Sequence, residues 1–199
     1  MTTEPRIDAE FRDILPALSD EEYEHLEGSL LADPSNIVID TWRGLVVDGH
    51  NRLSICRKHN LPYTIREREF ANRDEAVIWI LTNQLGRRNL NDAQRKLALG
   101  RLARRHPGRP VAGAVTNQQI ADAHEVSVDT VKRAARFAAA VDQATPEIQR
   151  GIRDGQIKAT TKQVEAYNNL PPEKKGAVAQ VAKKTGSLGK ALEKTEREK

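Results

Sequence analysis

The order of apolar and polar residues divides the chain into a mixed first half and a helical second half. Three short segments are β-branched or alternate with a period of two, and are predicted to be strands: 36–40, 44–47 and 63–70. Three others repeat apolar residues at helical spacing and are predicted to be helices: 18–31, 51–59 and 72–86. After residue 90 no strand pattern appears, and helices are predicted to about residue 170.

Capping residues mark where several helices begin. Ser19 with Glu22, and Asn72 with Glu75, have the spacing of a capping box. Asn91 is predicted to begin a helix that ends near residue 105, before a Pro/Gly loop with the sequence "HPGRPVAGA". The last segment, 173–199, is only weakly amphipathic, and we expect a frayed helix or tail.

These elements predict an α+β fold with three parts. A small mixed α/β domain is expected over residues 1–90, an all-α domain over 91–145, and a C-terminal helical segment with a basic tail over 146–199. Charge follows the first boundary, because residues 1–90 have a net charge of −5 and residues 91–199 a net charge of +9. The basic half is expected to meet a polyanion, most simply DNA, although a solubilising Lys-rich tail would also explain its charge.

Composition excludes several classes of protein. The one cysteine, Cys56, cannot form an internal disulfide, so a reducing cytoplasm is expected. The chain has no apolar run long enough to span a membrane and no secretion signal at its start, so no membrane contact is expected. Its five histidines are scattered without ligand spacing, and no metal site is predicted from them.

The segment "TNQQIADAHEVSVDTVKRAARFAAAVD" (116–142) predicts a helix, a turn and a second helix, like the helix-turn-helix of bacterial DNA-binding proteins. Ile120, Val126 and Val131 are spaced to hold the helices together. Glu125 occupies a turn position often held by glycine, so it either takes a positive φ or the turn is built differently. The DNA-binding residues predicted are Gln118, Ser127, Val128, Asp129, Thr130, Lys132, Arg133 and Arg136. An ordinary helical hairpin is the alternative.

The segment "GLVVDGHNRLSICRKHN" (44–60) predicts a strand, a tight Asp-Gly turn and a short helix. Such a turn either bends the chain or holds a phosphate at the start of the helix, where Arg52 supplies a cation and His50 and Asn51 supply donors. Arg87 and Arg88, which follow the end of a predicted helix, form a second candidate phosphate site.

The order of these segments resembles the ParB/sulfiredoxin superfamily, in its shorter plasmid- and phage-associated form. The resemblance rests on "VVDGHNRLSICRKHNLPY", then "DEAVIWILTNQLGRRNLNDAQR", then the helix-turn-helix, over roughly residues 10–170. Gly49 and Arg52 match the first nucleotide box of the partition proteins, and Arg87 and Leu90 match the second. The resemblance implies that CTP or another nucleoside triphosphate binds with Mg²⁺ at Gly49, His50, Asn51, Arg52, Asn83, Arg87 and Arg88.

The leading hypothesis is a sequence-specific, ParB-like DNA-binding protein that acts as a partition factor or transcriptional regulator and responds to a nucleotide. We expect a homodimer on double-stranded DNA, because one recognition helix makes few base contacts. The resemblance implies a Walker-type ATPase partner and a cytoplasmic, nucleoid- or plasmid-associated location. The alternatives are an enzyme, either a nucleotide hydrolase or a ParB-like nuclease using the first domain, and an adaptor that binds no DNA.

Overall fold

The structure is a computed structural model that describes residues 4–86, 90–105 and 116–197. Contacts divide the chain into two compact units, Met1–Ile80 and Leu81–Lys199, and the helix Arg73–Leu85 runs across the division. The predicted domain limits after residues 90 and 145 stay predictions.

The first unit combines helices with a small sheet. Its elements in chain order are α1 (Ala9–Ile14), α2 (Asp20–Ala32), β1 (Val38–Trp42), β2 (Leu45–Asp48), α3 (His50–His59), β3 (Thr64–Glu67) and the start of α4 (Arg73–Leu85). The capping box of Ser19 and Glu22 is present at the start of α2, with both hydrogen bonds formed. Asn72 accepts a hydrogen bond from the Glu75 N–H at the start of α4.

The sheet has the strand order β2-β1-β3, with β1 in the centre. β1 pairs antiparallel with β2 and parallel with β3, so all three predicted strands are confirmed. Arg43 and Gly44 join β1 to β2 with φ angles of 51° and 75°, because a two-residue hairpin turn with positive φ at both positions matches the twist of the strands. α3 lies in the connection from β2 to β3.

The core of the first unit lies between the sheet and α3. Ile39 and Val46 from the sheet pack against Leu53 and Cys56 from α3, and all four are at most 1% exposed. Leu53 and Cys56 therefore form the inward face of α3. Burial raises the pKa of the Cys56 thiol, which makes this cysteine a poor nucleophile.

A buried carboxylate ties β1 to β3. Asp40 is 2% exposed, and its oxygens accept hydrogen bonds from Arg66 Nε at 2.6 Å and Nη2 at 2.8 Å, and from Arg68 Nε at 2.6 Å. Burial by itself raises the pKa of this carboxyl, but the hydrogen bonds from Arg66 and Arg68 outweigh it, so the pKa of Asp40 lies below its ordinary value. The charged form of Asp40 therefore stabilises the sheet.

The second unit is helical in the part that the structure describes. Beyond the end of α4 its helices are α5 (Asp92–Arg105), α6 (Asn117–Ala123), α7 (Val128–Asp142), α8 (Pro146–Arg153), α9 (Thr161–Asn168), α10 (Pro172–Thr185) and α11 (Leu188–Arg197). Asn91 caps α5 as predicted, because its side chain accepts a hydrogen bond from Gln94 N at 2.9 Å. The predicted Pro/Gly loop falls outside the described residues.

The prediction of a frayed C-terminal helix or tail is wrong. Segment 173–197 folds as α10 and α11, which are joined through Gly186 with a φ of +66°. Val178, Ala182, Leu188 and Ala191 are fully buried in one core with residues of α7, α8 and α9. The pattern was weak because small residues and only a few large apolar ones suffice to cover this side of the core.

α5 crosses α7 closely in the second unit, and this crossing depends on Gly100. A Cβ atom added at Gly100 would lie 2.0 Å from the backbone oxygen of Ala134 and 2.8 Å from the Cβ of Ala138. The contact is with backbone, so a change of side-chain rotamer cannot relieve it. Position 100 accepts no side chain while the two helices keep this distance.

We predict that Gly100→Ala destabilises the protein by about 1–3 kcal/mol, the usual effect of overpacking, although alanine is the better helix former by about 1 kcal/mol. The matched control is Gly176→Ala in α10, where an added Cβ meets nothing within 4 Å. This control should raise the free energy of unfolding by up to about 1 kcal/mol. Urea unfolding measures both, and equal effects of the two substitutions would contradict the close crossing.

A second prediction concerns pH and Asp40. The pKa of Asp40 is lower in the folded than in the unfolded chain. Its stabilising effect is therefore complete when the pH is above the pKa of the unfolded chain, and it is lost as the pH falls through the pKa of the folded chain. Asp40→Asn should therefore lower the Tm at neutral pH and flatten the fall of the Tm below about pH 5. The control Glu24→Gln changes an exposed carboxyl beyond the first turn of α2 and should keep the wild-type pH profile. Parallel profiles for Asp40→Asn and the wild type would contradict this role.

Candidate nucleic-acid interface

The helix, turn and second helix predicted over 116–142 are present as α6 and α7. Thr116 caps α6 in a capping box with Gln119, whose side chain bonds back to the Thr116 N–H. Ser127 caps α7, because its hydroxyl accepts a hydrogen bond from Thr130 N at 3.1 Å. Local sequence therefore specifies where both helices begin.

The turn between the helices is closed by backbone hydrogen bonds. Val126 N donates to Ala121 O at 3.0 Å, and Glu125 N donates to Asp122 O at 3.4 Å, which is the pattern of a Schellman motif. Glu125 takes a φ of +54°, so of the two alternatives the structure has the positive φ on a non-glycine residue. That conformation costs about 1–2 kcal/mol.

α7 has one buried and one exposed face. The buried face consists of four fully buried residues, Val131, Ala134, Phe137 and Ala138. On α6, Ile120 and Ala121 are at most 2% exposed. The residues predicted to bind DNA lie on the other side. Among them Val128 and Thr130 are half-buried, and the exposed ones are Gln118, Ser127, Asp129, Lys132, Arg133 and Arg136.

Two of the three cations on this face are held by carboxylates. Arg133 Nη2 lies 2.8 Å from Asp129 Oδ2, one turn earlier on α7. Arg136 donates to both carboxylate oxygens of Glu165 on α9, at 2.8 and 3.1 Å. Their arginine side chains are nevertheless 68% and 70% exposed, so each pair is worth at most about 1 kcal/mol.

Lys132 carries no ion pair in the part of the chain that the structure describes. Glu165 was missed by the sequence analysis, since it lies 29 residues from Arg136 and nothing local marks it. The hydrogen bond from Arg136 lowers the pKa of Glu165, with a smaller contribution from the charge of Lys162, so Glu165 is charged at neutral pH.

The turn at the start of α3 has a backbone geometry that favours glycine. Gly49 has a φ of +92° and precedes the first residue of the helix without a side-chain cap. An added Cβ would lie 3.1 Å from both Arg52 Nη2 and Ile39 Cδ1, so the arginine side chain folds back over this glycine. The same Nη2 donates to Asp48 Oδ2 at 2.8 Å.

The other residues of the predicted nucleotide site lie in different parts of the chain and are not all described. His50 is 8% exposed and Asn51 half-buried, both in the first turn of α3. Asn83 is exposed on the part of α4 that belongs to the second unit, whereas Arg87 and Arg88 lie outside the described residues. Arg52 Nε is buried and has no hydrogen-bond partner among the residues described. An unpartnered guanidinium donor fits an oxyanion at this turn.

The described residues contain no group of three or more potential metal ligands. None of the helices within them is long and apolar enough to cross a bilayer.

Comparison with known proteins identifies the fold. No protein-family model and no curated protein matches the chain. A crystal structure of a pNOB8-like ParB N-domain, in its C222₁ form, superposes with a TM-score of 0.57 over 90% of this chain and 89% of that one, at 18% identity. A second pNOB8-like ParB N-domain structure gives 0.52 over 89% and 80%, at 17% identity.

The chain has the ParB N-domain fold. The α+β class and the fold that the resemblance implied are therefore confirmed. At these identities the likeness to ParB N-domains extends to the fold and not to individual site residues.

Proposed function

We propose that the protein is a partition-type, sequence-specific DNA-binding protein in which α7 enters the major groove. The observation that carries this proposal is the exposed face of α7, with short side chains at its N-terminal end and cations after them. Short residues at that end allow a helix to approach base edges, and the cations that follow lie where phosphates run. The net charge of +9 on residues 91–199 supplies general attraction to DNA.

The charge on this face is less than the sequence suggests, because Asp129 and Glu165 each pair with one arginine. Of the described cations on this face, Lys132 is therefore the one that can bind a phosphate without first breaking an ion pair. Arg136 can still contact DNA, since its pair with Glu165 is exposed and weak.

We propose a homodimer that binds a two-fold symmetric site, because a single recognition helix makes few base contacts. We also propose a role in partition or in transcriptional regulation, as the resemblance to ParB proteins implies. The same resemblance implies a Walker-type ATPase partner and an association with nucleoid or plasmid DNA.

A second proposal is that the first unit binds the phosphates of a nucleotide at the Gly49 turn. It is supported by the buried, unpartnered Nε of Arg52 beside the start of α3. Asp48 already neutralises part of the Arg52 charge, so an incoming phosphate must share the guanidinium with this carboxylate. Because Gly49 has no Cβ, the Arg52 guanidinium lies directly over the backbone at the start of α3.

The DNA proposal is tested with Lys132→Ala by fluorescence anisotropy on a random-sequence duplex over a salt series. We expect wild-type affinity to fall steeply with salt, and Lys132→Ala to reduce the log–log slope by about 0.9, the contribution of one phosphate contact. The Tm should be unchanged, because Lys132 is exposed and alanine favours helix.

The matched control is Lys184→Ala on α10, which removes the same charge from another exposed helix position. Selection of bound duplexes from a random pool then tests sequence specificity. A flat salt response of the wild type would favour the adaptor hypothesis, and equal effects of both substitutions would reject α7 as the DNA-contacting helix.

The nucleotide proposal is tested by thermal shift with CTP, ATP and GTP in the presence of Mg²⁺. We expect one of them to raise the Tm of the wild type and to have no effect on Arg52→Ala, whose phosphate donor is gone. Arg57→Ala is the control, because Arg57 lies on the same helix but pairs with Glu4. If no nucleotide changes the Tm of the wild type, the Gly49 turn only bends the chain and binds no phosphate.

A further inference from the structure

An open pocket of about 310 Å³ lies where α5 meets the turn and the start of α7. All of its walls belong to the second unit. Its lining residues come from α5, from the turn and from α7, and are Asp92, Arg95, Lys96, Leu99, Val126, Thr130, Arg133 and Ala134. Thr130 and Arg133 are residues of the predicted DNA-binding set, whereas those on α5 are not.

The pocket is electrostatically one-sided. Three of its lining residues are cations, Arg95, Lys96 and Arg133, against one carboxylate, Asp92. Leu99, which is 4% exposed, and the fully buried Ala134 contribute an apolar surface that does not solvate these charges. Arg133 is neutralised by Asp129, but in the described part of the chain Arg95 and Lys96 form no ion pair.

Lys96 is the most unusual member of this group. Its Nζ lies 4.6 Å from the centre of the Phe137 ring and 3.4 Å from Thr161 Oγ1, so its partners are an aromatic face and a hydroxyl. Burial lowers the pKa of Lys96, and the positive charge of Arg133 lowers it further. A cation held in this way weakens the fold, and an anion entering the pocket would relieve that effect.

The donors around the pocket suit an oxyanion with several acceptor oxygens. Lys96 and Arg95 line the pocket from α5, and Thr130, whose hydroxyl lies 2.9 Å from Ser127 Oγ, lines it from the first turn of α7. A tetrahedral phosphate presents acceptors to donors from different directions, as this arrangement requires. Asp92 lies on the same wall, and its carboxylate opposes part of the attraction that the three cations exert on an anion.

We propose that this pocket seats one backbone phosphate of DNA, beside the groove that α7 occupies, with Lys96 and Arg95 as its ligands. This rests on the proposed DNA binding and adds to it a contact from α5. The phosphate fixes the position of α7 along the duplex and carries no base information. The same chemistry would also accept free inorganic phosphate, and the test separates the two sources.

The test compares the wild type with Lys96→Met, which keeps an unbranched side chain one atom shorter and removes its charge, on a random duplex over a salt series. We expect the log–log slope of Lys96→Met to be smaller by about 0.9, and its affinity at 0.1 M salt to be about eightfold lower. Its Tm should equal or exceed that of the wild type, because a poorly solvated ammonium is replaced by a thioether. A lysine needed only for structure would lower the Tm together with the affinity, and that result would overturn the proposal.

Lys184→Met is the matched control and should keep the wild-type slope. An equal drop in slope for both variants would mean a general effect of net charge and would also overturn the proposal. A second variant, Arg95→Gln, should reduce the slope as well, since Arg95 is exposed and its hydrogen bond to Leu85 O is long, at 3.3 Å. Wild-type slope and affinity in both Lys96→Met and Arg95→Gln would reject the pocket while leaving DNA binding by α7 intact.

Failure of the DNA proposal itself gives a different result. In that case the wild type does not bind the duplex, and thermal shift with inorganic phosphate at constant ionic strength becomes the informative measurement. A phosphate-dependent rise of the Tm in the wild type that is absent from Lys96→Met would show a pocket for free phosphate and would overturn the assignment to DNA.

Discussion

The second unit depends on the absence of a side chain at one position. Gly100 lets α5 approach the backbone of α7 so closely that a Cβ would overlap the Ala134 carbonyl. Because the obstacle is backbone, no smaller side chain at position 134 could make room for a larger one at position 100. The crossing also sets the distance between the cations of α5 and the first turns of α7. The contact that holds the core together therefore also shapes the surface that we propose to bind DNA.

The candidate sites share a second feature, which is that arginines are held by nearby acids. Arg52 pairs with Asp48, Arg133 with Asp129 and Arg136 with Glu165. Such pairs orient a guanidinium at little cost, but they reduce the charge that it offers to a phosphate. The two lysines lack such pairs in the described chain: Lys132 is exposed to solvent, and Lys96 is placed over an aromatic ring. In the proposed complex the two lysines and Arg95, which forms no ion pair among the described residues, supply attraction, and the three acid-paired arginines supply geometry.

Much of the fold could be predicted from the sequence, because its signals are local. The caps at Ser19, Asn91 and Ser127 and the positive φ at Gly49 depend on neighbouring residues alone. What could not be predicted depends on residues far apart in the chain. A glycine within a helix gives no sign of what crosses it, and the pairing of Arg136 with Glu165 becomes visible only when α9 has packed beside α7. Likewise, the burial of the alanines of α10 and α11 depends on the core that they cover, which is built from other helices.

The three-stranded sheet has two outer strands, and each has a feature that discourages pairing with another chain. Along β2, Arg6 forms a short parallel bridge, in which Arg6 N donates to Gly44 O and Val46 N donates to Arg6 O, both at 2.9 Å. The edge of β3 is protected by charge instead. The run Arg66-Glu67-Arg68-Glu69 places alternating charges along the strand and just beyond it. Intermolecular sheet extension, which is a route to aggregation, would have to displace a backbone segment at one border or bury charges at the other.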